Sequence, residues 1–176
     1  DAESADLWES LEVSRIKLVL IATPQTEDCR NVAEQLQLAG YRGRPLRVTF
    51  WATTCASCVR ELPHLIELYE ELHPRGLEII GITMAYDPPN LVLAMSRKRN
   101  IPYPIALDIN AEAARAFGEV RLTPTTFLIA PDGRIVYHWA GVVDMAKIRQ
   151  DILDMLPPEN GTARPAPQTS QEQRHS

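Results

Sequence analysis

The sequence predicts an α/β domain built on a central mixed β-sheet flanked by helices. Three observations carry this. Apolar segments alternate along the chain between near-continuous runs, as in buried strands, and the spacing of amphipathic helices. Thr125–Ala130 and Ile135–Trp139 are joined by Pro131-Asp132-Gly133-Arg134, a hairpin signal that adds an antiparallel edge. The composition, 45% hydrophobic and 23% charged over 176 residues, fits one globular domain able to bury a core without disulfide staples.

The elements follow in order. Asp1-Ala2-Glu3-Ser4 is not a basic start leading into an apolar stretch, so no signal peptide is read there. Residues 1–12 are a lead-in. Ile16–Ala22 (IKLVLIA) is strand-like. Asp28–Ala39 reads as a helix with Val32, Leu36 and Ala39 aligned. Residues 46–51 (LRVTFW) form a strand, and residues 57–73 an amphipathic helix with Val59, Leu62, Leu65, Ile66, Tyr69 and Leu72 at helical spacing. Pro63 falls inside that helix, where it removes one backbone hydrogen bond and should bend it. Leu77–Thr83 is a strand, and 89–99 a helix with Leu91, Val92 and Met95 on one face. Arg97-Lys98-Arg99 then forms a solvated helix end, where cations suit the dipole. Asn110 is an N-cap and Gly118 a stop for a short helix. After the hairpin, Asp144 caps a last helix with Ile148, Ile152, Met155 and Leu156, which ends at Pro157 and folds back over one face of the sheet. Residues 157–176 hold four prolines and few apolar side chains, so they are expected to form a disordered tail. The folded domain is therefore placed at residues 13–156.

The net charge of −5 and pI near 5.4 argue against nucleic acid or an anionic membrane surface as the main partner. The apolar runs fall far short of the roughly 20 residues that span a bilayer.

The chemistry concentrates in Cys55-Ala56-Ser57-Cys58, between a strand and an amphipathic helix. That placement puts Cys55 at a helix N-terminus, where unpaired N–H groups and the helix dipole stabilise a thiolate. Cys58, one turn along, is the buried resolving thiol. A two-residue spacer lets the sulfurs cycle between dithiol and disulfide with little backbone movement. A zinc site needs about four ligands, and the third cysteine, Cys29, and the histidines are scattered. Covalent haem attachment needs His after the second Cys, where Val59 stands. A purely structural disulfide would close a very small loop and contribute little. A redox-active pair is the favoured reading, and no metal or organic cofactor is expected. Cys29 is read as a bystander.

The segment Phe50-Trp51-Ala52-Thr53-Thr54-Cys55-Ala56-Ser57-Cys58-Val59-Arg60-Glu61-Leu62-Pro63 resembles the active-site segment of thioredoxin-fold proteins of the TlpA/ResA group. Tyr41-Arg42-Gly43-Arg44-Pro45 resembles the turn before their active-site strand. Leu122-Thr123-Pro124-Thr125-Thr126-Phe127-Leu128-Ile129 with the following hairpin resembles their proline loop. The resemblance covers about residues 40–156. It implies a thioredoxin fold preceded by an N-terminal extension. It implies a cis peptide bond before Pro124, which would present the Thr123 backbone to a substrate chain; an ordinary trans proline at a strand start is the bland alternative. It implies that Glu61 is an active-site carboxylate exchanging a proton with Cys58, against a solvated helix glutamate, and that Trp51 packs beside the site, against a simple core tryptophan. Thr54 and Ala56-Ser57 depart from the residues many relatives carry, which leaves the reduction potential open. The first 40 residues resemble the family least: relatives often have a short hairpin there, whereas strand–helix–strand would match thioredoxin itself.

The expected activity is thiol–disulfide exchange. The resemblance implies reduction of protein disulfides, such as those of apocytochrome c or copper-site assembly proteins. It also implies an upstream thiol donor and a periplasmic or otherwise extracytoplasmic setting in a bacterium, with any membrane tether lying outside this chain. Oxidase or isomerase activity is the alternative direction. A thiol peroxidase of this fold carries P-x-x-x-T-x-x-C, but Val48 and Ala52 stand at those positions. As a non-enzymatic alternative, the two thiols suit Cu(I), with no third soft ligand at suitable spacing.

Overall fold

A computed structural model describes residues 16–22 and 35–159. The tail from residue 160 onward, the lead-in, Cys29 and most of the helix expected over 28–39 lie outside the described residues.

Among the described residues seven strands form one sheet, in the order β2-β1-β5-β4-β3-β6-β7. They are β1 (Lys17–Ala22), β2 (Gln35–Gln37), β3 (Leu46–Trp51), β4 (Glu78–Thr83), β5 (Ile105–Leu107), β6 (Thr125–Ile129) and β7 (Ile135–Ala140). β3, β4 and β5 run parallel, and the remaining pairs are antiparallel, so the sheet is mixed. The helices are α1 (Ala56–Leu72), α2 (Pro89–Lys98), α3 (Glu112–Ala116) and α4 (Met145–Met155).

β3 and β4 are buried at every position because each lies between two neighbours and both faces are covered. The period of two divides their side chains between two cores. Leu46, Val48 and Phe50 join Ile80, Ile82, Phe117 and Phe127 on the α3 face. Phe50, Phe117 and Phe127 meet edge to face there. Trp51, Ile79, Ile105 and Leu128 face the other way, against Leu62, Leu65, Leu68 and Leu72 of α1, Val92 of α2 and Ile148 and Ile152 of α4. α4 thus folds back over the sheet as expected. Its first turn is held by the Asp144 carboxylate, which accepts from the Ala146 and Lys147 N–H groups at 3.1 Å each. Pro63 lies inside α1, which continues through it to Leu72. The cost is the donor that Val59 C=O would otherwise receive.

Three expectations change. Residues 35–37 are not helical: β2 pairs antiparallel with β1 (Lys17↔Gln37, Leu18↔Leu36). The edge of β1 gains a hydrogen-bonded partner, and that tertiary pairing overrides local helical periodicity. β1 itself runs antiparallel to β5. β5 was not expected; it is a three-residue strand following Pro102 and Pro104, and it fills the ladder between β1 and β4. Asn110 does not cap α3. Asp108 does, accepting from Ala113 N at 3.0 Å and Ala114 N at 2.9 Å, while Ala111 takes the cap position in the left-handed region. Gly118, at φ +90°, ends that helix as read from the sequence.

Candidate active site

β3 ends at Trp51, whose carbonyl accepts from Met84 N at 3.1 Å. The chain then turns through 52–54, with Cys55 N donating to Ala52 C=O. A buried carboxylate pins this turn. Asp87, 4% exposed, accepts from Thr53 N at 2.7 Å and from the Thr53 hydroxyl at 2.6 Å. Cys55 follows as the N-cap of α1, in extended conformation. Its Sγ accepts from Cys58 N at 3.2 Å and lies 3.4 Å from the Ser57 hydroxyl. A cysteine sulfur therefore does what a capping Ser or Asp oxygen does elsewhere, and the donors that cap a helix are the ones that stabilise a thiolate. Cys55 and Cys58 form a disulfide with Cα atoms 5.2 Å apart. Cys55 is half-buried and Cys58 buried, the asymmetry expected of an attacking and a resolving thiol.

Behind the pair lies a closed polar layer within the apolar core. Arg47, Thr49 and Trp51 share the α1 face of β3 by strand alternation. Glu61 is one turn beyond Cys58 on the buried stripe of α1. Arg47 is fully buried and Glu61 6% exposed, and Arg47 Nη2 donates to Glu61 Oε1 at 2.6 Å. Burial pushes the Arg47 guanidinium below its ordinary range, and Glu61 opposes that fall. Tyr103 is almost wholly buried nearby, and burial holds its phenol well above the usual range. A cavity of about 10 Å³ is lined by Thr49, Trp51, Cys58, Glu61, Gly81 and Tyr103. That volume suits about one water. Among the described residues, Glu61 Oε2, Thr49 Oγ1 and Trp51 Nε1 have no protein partner, so the cavity wall offers two hydroxyl or N–H groups and a carboxylate oxygen. Gly81 makes the arrangement possible: a Cβ there would lie 2.8 Å from Ile105 Cδ1 and 3.0 Å from Trp51 Nε1.

The Thr123–Pro124 peptide bond is cis. Thr125 stands opposite Phe50 in the β3–β6 ladder, so one step further Pro124 comes level with Trp51, at the same end of the sheet as Cys55. Pro124 is buried, Thr123 half-buried, and Pro124 C=O accepts from Gly141 N at 2.7 Å. Around this end lie exposed apolar side chains: Leu122 just before the proline, Val142 just after Gly141, and Tyr86 beside Asp87.

The structure thus joins Cys55 to Cys58 and brings Trp51, Cys58 and Glu61 to one cavity, while Thr123 and Pro124 sit at the same sheet end by register. The sequence reading missed Arg47, Thr49, Asp87 and Tyr103. Arg47 carried one signal: a charged residue inside a strand bounded by other strands and followed by a helix has no solvent face to use. Among the described residues no group of three or more His, Cys, Asp or Glu side chains is placed to hold a metal ion, and no helix is long and apolar enough to cross a membrane.

Comparison with known proteins agrees with this geometry. The Redoxin family model matches residues 20–152. The chain is 32% identical to the thiol-disulfide oxidoreductase ResA of Halalkalibacterium halodurans, over 72% of this chain and 70% of the relative. It is 26% identical to ResA of Bacillus subtilis, over 71% and 68% respectively. Among solved structures, StoA of Bacillus subtilis superposes with a TM-score of 0.60 at 18% identity, covering 76% of this chain and 94% of that one. A thioredoxin-family thiol:disulfide interchange protein of Chlorobium tepidum gives 0.63 at 23%, covering 70% and 87%. These two likenesses establish the thioredoxin fold. The chain belongs to the Redoxin family and is a ResA-like thiol-disulfide oxidoreductase, with its Cys55–Cys58 pair at the N-terminus of α1.

Proposed function

We propose that this oxidoreductase works as a reductase of protein disulfides in an extracytoplasmic compartment. The observation that carries the thiol chemistry is the capping geometry: a half-buried Cys55 sulfur accepting the Cys58 N–H at the start of α1. The Cys55 thiolate attacks one sulfur of a substrate disulfide. A mixed disulfide forms, and the other substrate sulfur leaves as a thiol after taking a proton. Cys58 then gives its proton to the Glu61 carboxylate and attacks Cys55. The Cys55–Cys58 bond forms, the mixed disulfide breaks, and the second substrate sulfur leaves. Two electrons pass to the substrate, and an upstream dithiol must return them to the pair.

Thr123 and Pro124 form the substrate-binding side of the site, with Trp51, 3% exposed, packed beneath it. The exposed Leu122, Val142 and Tyr86 support a protein substrate, because an apolar rim around a reactive sulfur suits a polypeptide better than a small polar thiol. Reduction and an extracytoplasmic setting follow from the TlpA/ResA resemblance, and the relatives named ResA are thiol-disulfide oxidoreductases. Disulfides of apocytochrome c or of copper-site assembly proteins are the substrate class this reading favours.

The direction is tested by titrating the pair against dithiothreitol and glutathione. A potential near or below that of thioredoxin, about −270 mV, supports a reductase; one near that of a strong oxidant, about −120 mV, shows an oxidase instead. Cys58→Ser should accumulate mixed disulfides through Cys55 when mixed with a disulfide-bonded protein.

A further inference from the structure

We propose that Arg47 is the positioning residue of the resolving step: its guanidinium binds one oxygen of Glu61 and holds that carboxylate with its other oxygen toward the cavity shared with Cys58. This rests on the reading of Glu61 as the acceptor of the Cys58 proton.

The observations are geometric. Arg47 lies in an internal strand with no exposed surface, a position where charge is costly. Among the described residues it makes a single ion pair, to Glu61 Oε1 at 2.6 Å, and its Nη1 meets the Met145 sulfur at 3.8 Å. Glu61 Oε2 has no protein partner, and the residue lines the cavity beside Cys58. A pair serving packing alone would be replaced by apolar residues at little or no cost in stability. An ion pair that leaves one carboxylate oxygen unpartnered instead preserves a proton acceptor.

The charges facing Glu61 set its behaviour. Arg47 comes from β3, Tyr103 from the loop before β5, and Cys58 from its own helix, while Tyr137 of β7 faces Arg47. Tyr103 remains a neutral phenol through the physiological range, since burial raises it. Among the described residues Arg47 is the cation hydrogen-bonded to Glu61, and removing it takes away the charge that favours the carboxylate form there.

The test separates the two thiol steps. Reduced protein is mixed with a chromophoric aryl disulfide. The first release of aryl thiol reports attack by Cys55, and the second reports attack by Cys58. In wild type the second phase shows an acid limb, which Arg47→Met moves up by about one pH unit or more, slowing that phase about tenfold below the new limb. Arg47→Gln, which keeps a hydrogen-bond donor, gives the same shift and serves if the Met variant fails to fold. Arg47→Lys restores the wild-type limb. Glu61→Gln removes the limb, and Arg47→Met adds no change in that background. The first phase is unaltered throughout. If Glu61→Gln removes the limb but both neutral Arg47 variants leave it in place, Arg47 is structural only and the inference is overturned. If Glu61→Gln leaves the limb intact, the Glu61 reading itself fails.

Discussion

The carboxylate that pins the turn before Cys55 is the first feature to perturb. Asp87 is buried and accepts two hydrogen bonds from Thr53, at 2.7 and 2.6 Å. A hydrogen bond to an ionised group contributes about 1.5–3 kcal/mol. Thr53 is half-buried, so water partly replaces what is lost, and the lower end applies to each bond. Asp87→Ala should therefore cost about 3 kcal/mol. Asp87→Asn keeps an oxygen for Thr53 N–H and offers an amide donor to the hydroxyl, so it loses charge assistance only and should cost about 1–2 kcal/mol. The assay is urea unfolding of the oxidised proteins, with equal m-values required before midpoints are compared. In a chain of this size, 3 kcal/mol corresponds to roughly 6–12 °C in Tm. Hydrogen exchange at the Thr53 amide supplies a local reading: slow in wild type, fast in Asp87→Ala. An Asp87→Ala variant within about 0.5 kcal/mol of wild type, the range of an ordinary surface substitution, would refute the clamp.

The other predictions are briefer. Asp108→Ala uncaps α3 and should cost about 1–2 kcal/mol by the same assay. Gly81→Ala drives a Cβ against Trp51 and Ile105 and should cost about 1–3 kcal/mol, with a shifted Trp fluorescence spectrum. Burial chiefly pushes the Tyr41 phenol up to about 12, and burial also raises the Tyr103 phenol well above its usual range. The folded state then holds these protons after the unfolded chain has released them. The stability these two phenols contribute should accordingly be constant below about pH 10 and fall as pH rises above it. Urea midpoints at pH 9 and at pH 11 check the sign, and a higher midpoint at pH 11 contradicts it.

Much of this was legible because the signals were local. The Cys pair, the run Leu46–Trp51 and the helical spacing after Cys58 each belong to one segment, and hydrophobic period alone locates them. The hairpin at 131–134 and the Asp144 cap are likewise local. What escaped depended on partners distant in sequence. Gln35–Gln37 is a strand only because β1 has an edge to fill. Ile105–Leu107 is too short, and too close to two prolines, to announce itself before β1 and β4 flank it. Within LRVTFW, Arg47 gave no sign of its partner. Only the order of strands and the α1 helix above them show that both faces are covered, and only the meeting with Glu61, 14 residues away, explains a charge there. Asp87, 34 residues from Thr53, shows the same limit.

The role of Cys55 as attacking sulfur is tested by the rate of insulin reduction by dithiothreitol with and without the protein. Wild type should accelerate it, and Cys55→Ser, folded as judged by its unfolding curve, should reduce the rate to the uncatalysed background. A Cys55→Ser protein that retains wild-type acceleration would contradict the assignment of Cys55 as the attacking sulfur and the mechanism built on it.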